Sequence, residues 1–187
     1  MNETLQHLHT RNSAPRLIEP GPDTVALQHM FTAALRAPDH AWLQPWRFLV
    51  VAGEEREQLG QVFLRALLTS SPDADEAARL KAGNAPLRAP LIIVVICRLS
   101  DHPKVPHQEQ ILSAGCAAQA LLLAAEAQDF AGIWRTGSYA EDPVVAAALG
   151  LAEAEQIIGF LYFGSRDGRR KPLPERKVDN YVSYWTA

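Results

Sequence analysis

The sequence predicts a fold in which helices surround a mixed sheet, of the α+β or α/β class. Three observations support this class. Leu91–Cys97 is apolar at every position and rich in β-branched residues, which is typical of a central strand covered on both faces. Thr24–Leu35 has apolar residues at helical spacing. Helix and strand signals of these two kinds alternate along the whole chain.

In the first half of the chain, apolar residues recur at helical spacing in four stretches that turn-forming residues separate. The first stretch has Leu5 and Leu8 on one face, and Asp23 or Thr24 is a suitable N-cap for the second. An apolar run that ends at Gly53 is predicted to be a buried strand. In chain order, the predicted elements are helix 4–10, helix 24–35, strand 48–52, helix 54–68 and helix 74–82.

The second half of the chain contains the longest predicted helix. The middle of that helix, Ser113–Ala125, is small and apolar nearly all round, so it is buried either in the core or against a second subunit. A later short helix has Pro143 at its first position and Gly150 beyond its end, the usual placement of these residues. The predicted elements are strand 91–97, helix 108–128, strand 130–134, helix 142–150 and strand 157–163.

Length and charge restrict the class of protein. A chain of 187 residues with 48% hydrophobic residues is expected to form one domain, over residues 1–187. A net charge of −3 and a pI near 6.1 give no reason to expect nucleic acid or an anionic membrane as a partner. Its first residues lack the basic start and apolar stretch expected of a signal peptide, and we find no stretch suited to a membrane span and no CxxC pair. We therefore expect a soluble cytoplasmic protein with no membrane partner.

One segment, Arg36–Trp46, combines an arginine, an aspartate, a histidine, a glutamine, two tryptophans and two prolines. Because proline fixes φ and removes a backbone donor, this segment is not the interior of a helix or a central strand. It is predicted to be an ordered loop, and rigid loops hold polar groups against ligands. Arg36 and His40 are its candidate binding residues.

Three further polar clusters are candidates for ligand binding. They are Arg11–Ser13 with Arg16, Trp134–Gly137, and the basic segment Arg166–Lys177, which holds six of the eighteen basic residues. Arginine beside Ser and Asn at the end of an element suits an anion such as phosphate. The motifs of serine hydrolases, Walker-type sites, zinc proteases and Rossmann sites do not occur. The histidines lack the partners of a metal site, and we predict no metal.

Seven short motifs lie between residues 11 and 137. They are Arg11–Arg16 (RNSAPR), Arg36–His40 (RAPDH), Gln44–Phe48 (QPWRF), Asn84–Pro90 (NAPLRAP), Lys104–Pro106 (KVP), Ser113–Cys116 (SAGC) and Gly132–Gly137 (GIWRTG). None is specific alone, but together and in this order they resemble the motifs of the nitroreductase family, the flavin-dependent NAD(P)H oxidoreductases.

The resemblance implies an α+β fold that forms an intertwined homodimer, with two FMN sites at the interface and each site built from both subunits. It favours the interface interpretation of helix 108–128. It also implies an enzyme in which NADH or NADPH reduces FMN, which then reduces a small electron-poor acceptor such as a nitroaromatic compound or a quinone. No catalytic side chain is expected, since protons can come from water. The alternative is a flavin-binding or flavin-storing protein with little reductase activity.

The resemblance also implies which residues contact the cofactor. By position in the motifs, they are Arg11, Asn12, Ser13, Arg36, His40, Trp134, Arg135 and Thr136. One of them departs from the family pattern, because the start motif usually reads Arg-Arg-Ser and Asn12 replaces the second arginine. Asparagine keeps hydrogen-bond donors but carries no charge. We expect Arg16 or an arginine of the basic segment to supply the missing charge.

Overall fold

Helices pack on both faces of a five-stranded sheet in the computed structural model, which describes residues 2–186. The long strand β5 lies at its centre, and the path β1-β5-β3-β2 is extended by β4, which also pairs with β5. The strands are β1 (Leu17–Ile18), β2 (Trp46–Ala52), β3 (Leu91–Arg98), β4 (Ala131–Arg135) and β5 (Glu155–Arg166).

Strands β3 and β4 lie on opposite sides of β5. The β3 register runs from Leu91 opposite Phe163 to Arg98 opposite Glu155, and the same β5 residues 160–163 also pair with β4. All the described strand pairs are antiparallel, so the mixed sheet expected within one chain is wrong. Strands β3 and β4 run in the same direction and are connected through a helix. Because β5 lies between them, they do not pair with each other, and no parallel pair forms among the described strands. The α+β class itself is confirmed.

The six α-helices of residues 2–186 include every predicted one, with ends shifted by a few residues. They are α1 (Glu3–Thr10), α2 (Thr24–Ala34), α3 (Glu55–Ser70), α4 (Glu76–Gly83), α5 (His107–Glu126) and α6 (Pro143–Ala148). The predicted N-cap Asp23 is present, since its carboxylate accepts from Ala26 N at 2.8 Å, and the Asp142 carboxylate caps α6 by accepting from Val144 N at 2.8 Å. Strand β1 and four short 3₁₀ turns, at 40–42, 85–88, 138–140 and 178–180, were not predicted.

The core has two layers, one on each face of the sheet. Helices α2 and α5 cover one face, where Ile93 and Leu161 are fully buried. Helix α3 and α6 cover the other face, where Phe63 packs with Ile92 and Phe160. Burial on both faces explains why residues 91–97 are all buried, as the unbroken apolar run predicted. Each side chain of β4 and β5 therefore belongs to one of two distinct layers.

Apolar side chains remain exposed in two places in a single chain. On α5, Leu112 is 61% exposed, although the same helix buries its opposite side against the sheet. The segment from residue 167 to residue 186 is exposed throughout, and it includes Tyr184 at 90% and Trp185 at 88%. None of the helices within residues 2–186 is long and apolar enough to cross a membrane.

Candidate functional site

Strand β4 carries the predicted site residues Trp134 and Arg135, whose side chains point to opposite faces of the sheet. The Trp134 indole lies on the α5 face, where its Nε1 donates to the carbonyl of Ile158 at 3.2 Å. Gly159 leaves the room for this indole, because a Cβ at that position would overlap it. Trp134 is thus held from two sides by β5.

Arg135 lies on the α3 face of the sheet. Its guanidinium carbon is 5.7 Å from the ring centre of Tyr162. The Nε atom of Arg135 is buried and has no hydrogen-bond partner among the described residues. A buried donor without a partner is costly, so this atom favours a ligand that accepts a hydrogen bond. Burial raises the pKa of the Tyr162 hydroxyl to about 12.

Arg135 lines a cavity of about 610 Å³, which we call the β4 cavity. This cavity lies between β4, β5, α3 and α4. Its volume is in the range of small-molecule sites. Of the predicted site residues, Trp134, Arg135 and Thr136 border this cavity, although the Trp134 indole itself lies on the α5 face. The residues around them are Phe63, Leu67, Ala78, Lys81, Ala82, Ala85, Arg88, Ile133, Gly137, Ser138, Tyr139, Phe160 and Tyr162.

The predicted start motif Arg11–Ser13 lies beside the first residues of β4. The amide of Ala14 donates to the carbonyl of Gly132 at 3.1 Å, which fixes the motif against the strand. Nη1 of Arg11 donates to Oγ of Ser13 at 3.4 Å. The start motif and the β4 motif are therefore joined along one strand, with Arg11–Ser13 at its beginning and Thr136 just past its end.

The basic segment folds back onto the start motif. Nη2 of Arg166 donates to the carbonyl of Asn12 at 2.9 Å, and Nδ2 of Asn12 donates to the carbonyl of Lys171 at 2.7 Å. Nη1 of Arg170 donates to the carbonyl of Thr10 at 3.4 Å. Asn12 thus uses its side chain to hold the basic segment, which no sequence pattern predicted.

Arg11, Arg166, Arg170 and Lys171 form what we call the cationic cluster. Glu126 at the end of α5 is its buried anchor, being 7% exposed with Oε1 2.7 Å from Nη2 of Arg170. The pKa of Arg166 is lowered by burial and by the charge of Arg170. Two cations that act on each other, as Arg166 and Arg170 do, are stabilised by an anion, and a guanidinium with a nearby hydroxyl, as in Arg11 and Ser13, suits a phosphate.

Arg36 and His40 lie apart from the other predicted site residues of the same chain. Both are exposed, and Nδ1 of His40 is 2.8 Å from Oε2 of Glu109 at the start of α5. Their loop is ordered as predicted, since the Asp39 carboxylate accepts from the amide of Gln44 at 2.8 Å. Neither Arg36 nor His40 lines the β4 cavity. One chain therefore brings six of the eight predicted residues along β4 and leaves two elsewhere.

Sequence reasoning missed several residues of this region. Lys81, Arg88 and the two tyrosines of the β4 cavity had no assigned role, although Arg88 belongs to the motif Asn84–Pro90. Glu126 was also missed, and a lone acid at the end of an apolar helix was the available signal. Within the described part of the chain, no group of three His, Cys, Asp or Glu side chains is placed to hold a metal ion.

Comparisons with known proteins identify the family. The sequence model of the Nitroreductase family matches residues 19–165. The chain is 47% identical over 163 residues to the Escherichia coli K12 protein named "Putative NAD(P)H nitroreductase YdjA", covering 87% of this chain and 88% of that one. The fold is similar to that of a nitroreductase-like family protein from Bacillus cereus, with a TM-score of 0.83 and 20% identity over 98% of this chain and 96% of that chain.

A second solved structure, a nitroreductase with bound FMN from Bacteroides fragilis, is similar with a TM-score of 0.74. It is 19% identical, with 98% of this chain and 100% of that chain covered. At this identity it supports the fold, while the family assignment rests on the match to residues 19–165 and on the 47% identity to the Escherichia coli protein. The chain belongs to the nitroreductase family.

Proposed function

We propose that this protein is an FMN-dependent NAD(P)H oxidoreductase that reduces nitroaromatic compounds, quinones or related small electron-poor acceptors, within one domain over residues 1–187. The observation that carries the proposal is the arrangement along β4, with the cationic cluster at its beginning and Arg135 beside a cavity at its end. The names of the relatives, an NAD(P)H nitroreductase and a nitroreductase with bound FMN, support the same cofactor and reductant.

The cationic cluster fits the phosphate of FMN. Arg11 and Ser13 supply a guanidinium and a hydroxyl, and Arg166 and Arg170 supply further positive charge. The basic segment therefore takes the place of the arginine that Asn12 replaces. Arg16 is a weaker candidate for this role, because its side chain is exposed and makes no hydrogen bond or ion pair to any residue from 2 to 186.

The other end of β4 fits the flavin ring. From Gly132 to Thr136 the strand advances about 13 Å, which separates a phosphate contact from a ring contact on one elongated cofactor. The partnerless Nε of Arg135 is a donor for a ring oxygen or nitrogen. Arg135 and Thr136 are proposed to bind and orient this ring. The positive charge of Arg135 near the ring favours the anionic reduced form of the flavin.

FMN supplies the redox chemistry when bound, by taking a hydride from NADH or NADPH and passing it to the acceptor. For a nitro acceptor the net step consumes one NAD(P)H and one proton and yields the nitroso compound, NAD(P)⁺ and water. No side chain is assigned as a catalytic acid, since water can deliver the proton. The cytoplasmic location and the absence of nucleic-acid and membrane partners remain predictions.

The remaining two predicted contacts, Arg36 and His40, are proposed to reach the flavin of a partner subunit in a homodimer. Two features support this. Both side chains are exposed and lie away from the β4 cavity of their own chain. Apolar side chains on α5 and in the segment 167–186 are also exposed, as expected for surfaces that a second copy covers. The exposed Leu112 favours the interface interpretation of the long helix.

The visible spectrum of the purified protein tests the proposal. We expect a flavin spectrum that bleaches on anaerobic addition of NADH or NADPH and recovers when a nitroaromatic compound or a quinone is added. The Arg11→Ala variant should lose most of its flavin, and Arg65→Ala, an exposed arginine on α3, is the control. Bound flavin that neither nucleotide bleaches in a stopped-flow experiment would instead support a flavin-storage protein. A colourless protein that binds no added FMN would exclude both.

A further inference from the structure

The motif Asn84–Pro90 has no role in the proposed cofactor site, but the structure gives its arginine a position. The chain leaves α4 and forms a 3₁₀ turn over 85–88, and this turn places Arg88 on the wall of the β4 cavity that faces β4. Lys81 from α4 lies on the same wall. Both side chains are exposed, so their charges are solvated and accessible to a ligand that enters the cavity.

The β4 cavity is cationic and has no compensating acid. Lys81, Arg88 and Arg135 contribute three positive charges, and no aspartate or glutamate is among the described residues that line it. A cavity of one sign of charge raises the local concentration of ligands of the opposite sign. The cavity therefore favours a ligand that carries negative charge.

The remaining lining favours a planar ring. Phe63, Phe160, Tyr139 and Tyr162 form aromatic walls, and the rings of Phe63 and Tyr139 stack with centres 4.1 Å apart. Burial raises the pKa of both tyrosines, so their hydroxyl groups stay protonated and are available as neutral donors. The guanidinium carbon of Arg135 lies 5.7 Å from the ring centre of Tyr162, and Arg88 lines the same cavity.

We propose that the β4 cavity is an acceptor subsite, in which Arg88 and Lys81 bind the anionic substituent of an aromatic acceptor such as an aromatic carboxylate. The inference rests on the proposed function, because the acceptor ring must lie next to the flavin at Arg135 and Thr136. The phosphate of the cofactor does not need these cations, since the cationic cluster lies at the opposite end of β4. Acceptors with a carboxylate are therefore selected over neutral ones of the same shape.

A matched pair of acceptors tests this with the FMN-loaded protein. The pair 4-nitrobenzoate and 4-nitrobenzamide differs in charge and little in shape. We expect kcat/KM to favour the benzoate by about tenfold, the effect of one hydrogen bond to a charged group, mainly through KM. Arg88→Gln and Lys81→Gln should each reduce this preference severalfold. Arg65→Gln, which removes an exposed charge on α3 away from the cavity, should keep it.

Two outcomes would overturn the inference: equal kcat/KM for the two acceptors in the unmodified protein, or a preference that survives both substitutions. A third is a loss of FMN affinity in Arg88→Gln as large as the loss of preference, which would assign the cavity to the flavin. Binding of 4-nitrobenzoate and 4-nitrobenzamide to the oxidised protein, followed by flavin fluorescence or calorimetry, gives the same comparison without turnover. Tight benzoate binding without bleaching by NAD(P)H would retain the subsite and refute the proposed function.

Discussion

Asn12 and Arg166 are joined by a hydrogen bond in which the guanidinium donates to the Asn12 carbonyl at 2.9 Å, across 154 positions of sequence. The Asn12 side chain makes a second hydrogen bond to the same segment, since its Nδ2 donates to the carbonyl of Lys171 at 2.7 Å. Position 12 therefore contacts the basic segment through both its backbone and its side chain. An arginine at position 12 would contribute one positive charge, whereas Asn12 binds the basic segment, which carries several.

This relationship predicts how FMN affinity depends on the segment. Arg166→Gln should weaken FMN binding about tenfold or more, because it removes a charged donor from the cationic cluster. Asn12→Ala should weaken it by about twofold to tenfold, the value of a neutral hydrogen bond. Arg16→Ala should change it less than about twofold, since its side chain is exposed. Fluorescence titration of FMN measures all three, and a large loss in Arg16→Ala alone would reverse the assignment.

A site built from two subunits predicts complementation between inactive variants. Arg11→Ala and His40→Ala should each bind FMN poorly as homodimers. A heterodimer of the two contains one site with both substitutions and one intact site, so random mixing in equal amounts should restore about a quarter of the FMN sites. Flavin content per chain after joint refolding measures the recovery. No recovery, with heterodimers demonstrated by mass spectrometry, would place Arg11 and His40 in one site of a single chain.

The contact between Gly159 and Trp134 predicts a large stability cost for a small change. A Cβ at position 159 would overlap the indole and lie 3.1 Å from the carbonyl oxygen of Arg135, so Gly159→Ala should lower the free energy of unfolding by about 1–3 kcal/mol. Gly115→Ala is the control, because its Cβ would meet Trp134 at an ordinary 3.9 Å. In a Trp134→Leu background the cost of Gly159→Ala should shrink. Equal effects of the two alanines in urea unfolding would contradict the packing.

The pair of Arg47 and Glu155 predicts a loss of stability in acid. Nε and Nη2 of Arg47 donate to the Glu155 carboxylate at 2.7 and 2.6 Å, and this contact lowers the pKa of Glu155 from 4.5 to about 2. A folded-state pKa below the unfolded one stabilises the protein fully above pH 4.5, and this stabilisation is lost as the pH falls towards 2. Glu155→Gln should therefore cost about 1–3 kcal/mol at pH 7.

The pH dependence distinguishes this pair from a general effect of charge. The difference in unfolding free energy between the unmodified protein and Glu155→Gln should shrink between pH 5 and pH 2 as Glu155 takes up its proton. Glu153→Gln, two residues away and exposed, is the matched control and should change stability by less than about 0.5 kcal/mol. A difference that stays constant across this pH range would show that Glu155 does not act through its charge.

The helices and strands of this chain were predictable because their signals are local. The spacing of Leu27, Met30 and Phe31 identified α2, and the unbroken apolar run identified β3. Strand β1 was missed because its two residues pair only with the distant end of β5. The mixed sheet was wrong for a similar reason, since the position of β5 between β3 and β4 is set by tertiary packing.

The sequence motifs named the residues of the candidate site but could not give their arrangement in the fold. The motifs pointed to Arg11–Ser13 and Trp134–Thr136, but only the hydrogen bond from Ala14 to Gly132 shows that the first motif lies beside strand β4. The anchoring of Arg170 by Glu126 joins residues from different elements, and no local pattern encodes it. Arg36 and His40 were found by the unusual composition of their loop, while their distance from the β4 cavity depends on the fold.

The cationic cluster also has a consequence for the order of events during synthesis. Its residues come from position 11 and from positions 166–171, so the cluster does not exist on the ribosome until the roughly 155 residues between them have been made. Synthesis proceeds at about 5–20 residues per second, so several seconds or more separate the synthesis of Arg11 and Ser13 from that of Arg166 and Arg170. Capture of an anion at this site therefore follows the synthesis of positions 166–170, and cannot guide the folding of the segments made before them.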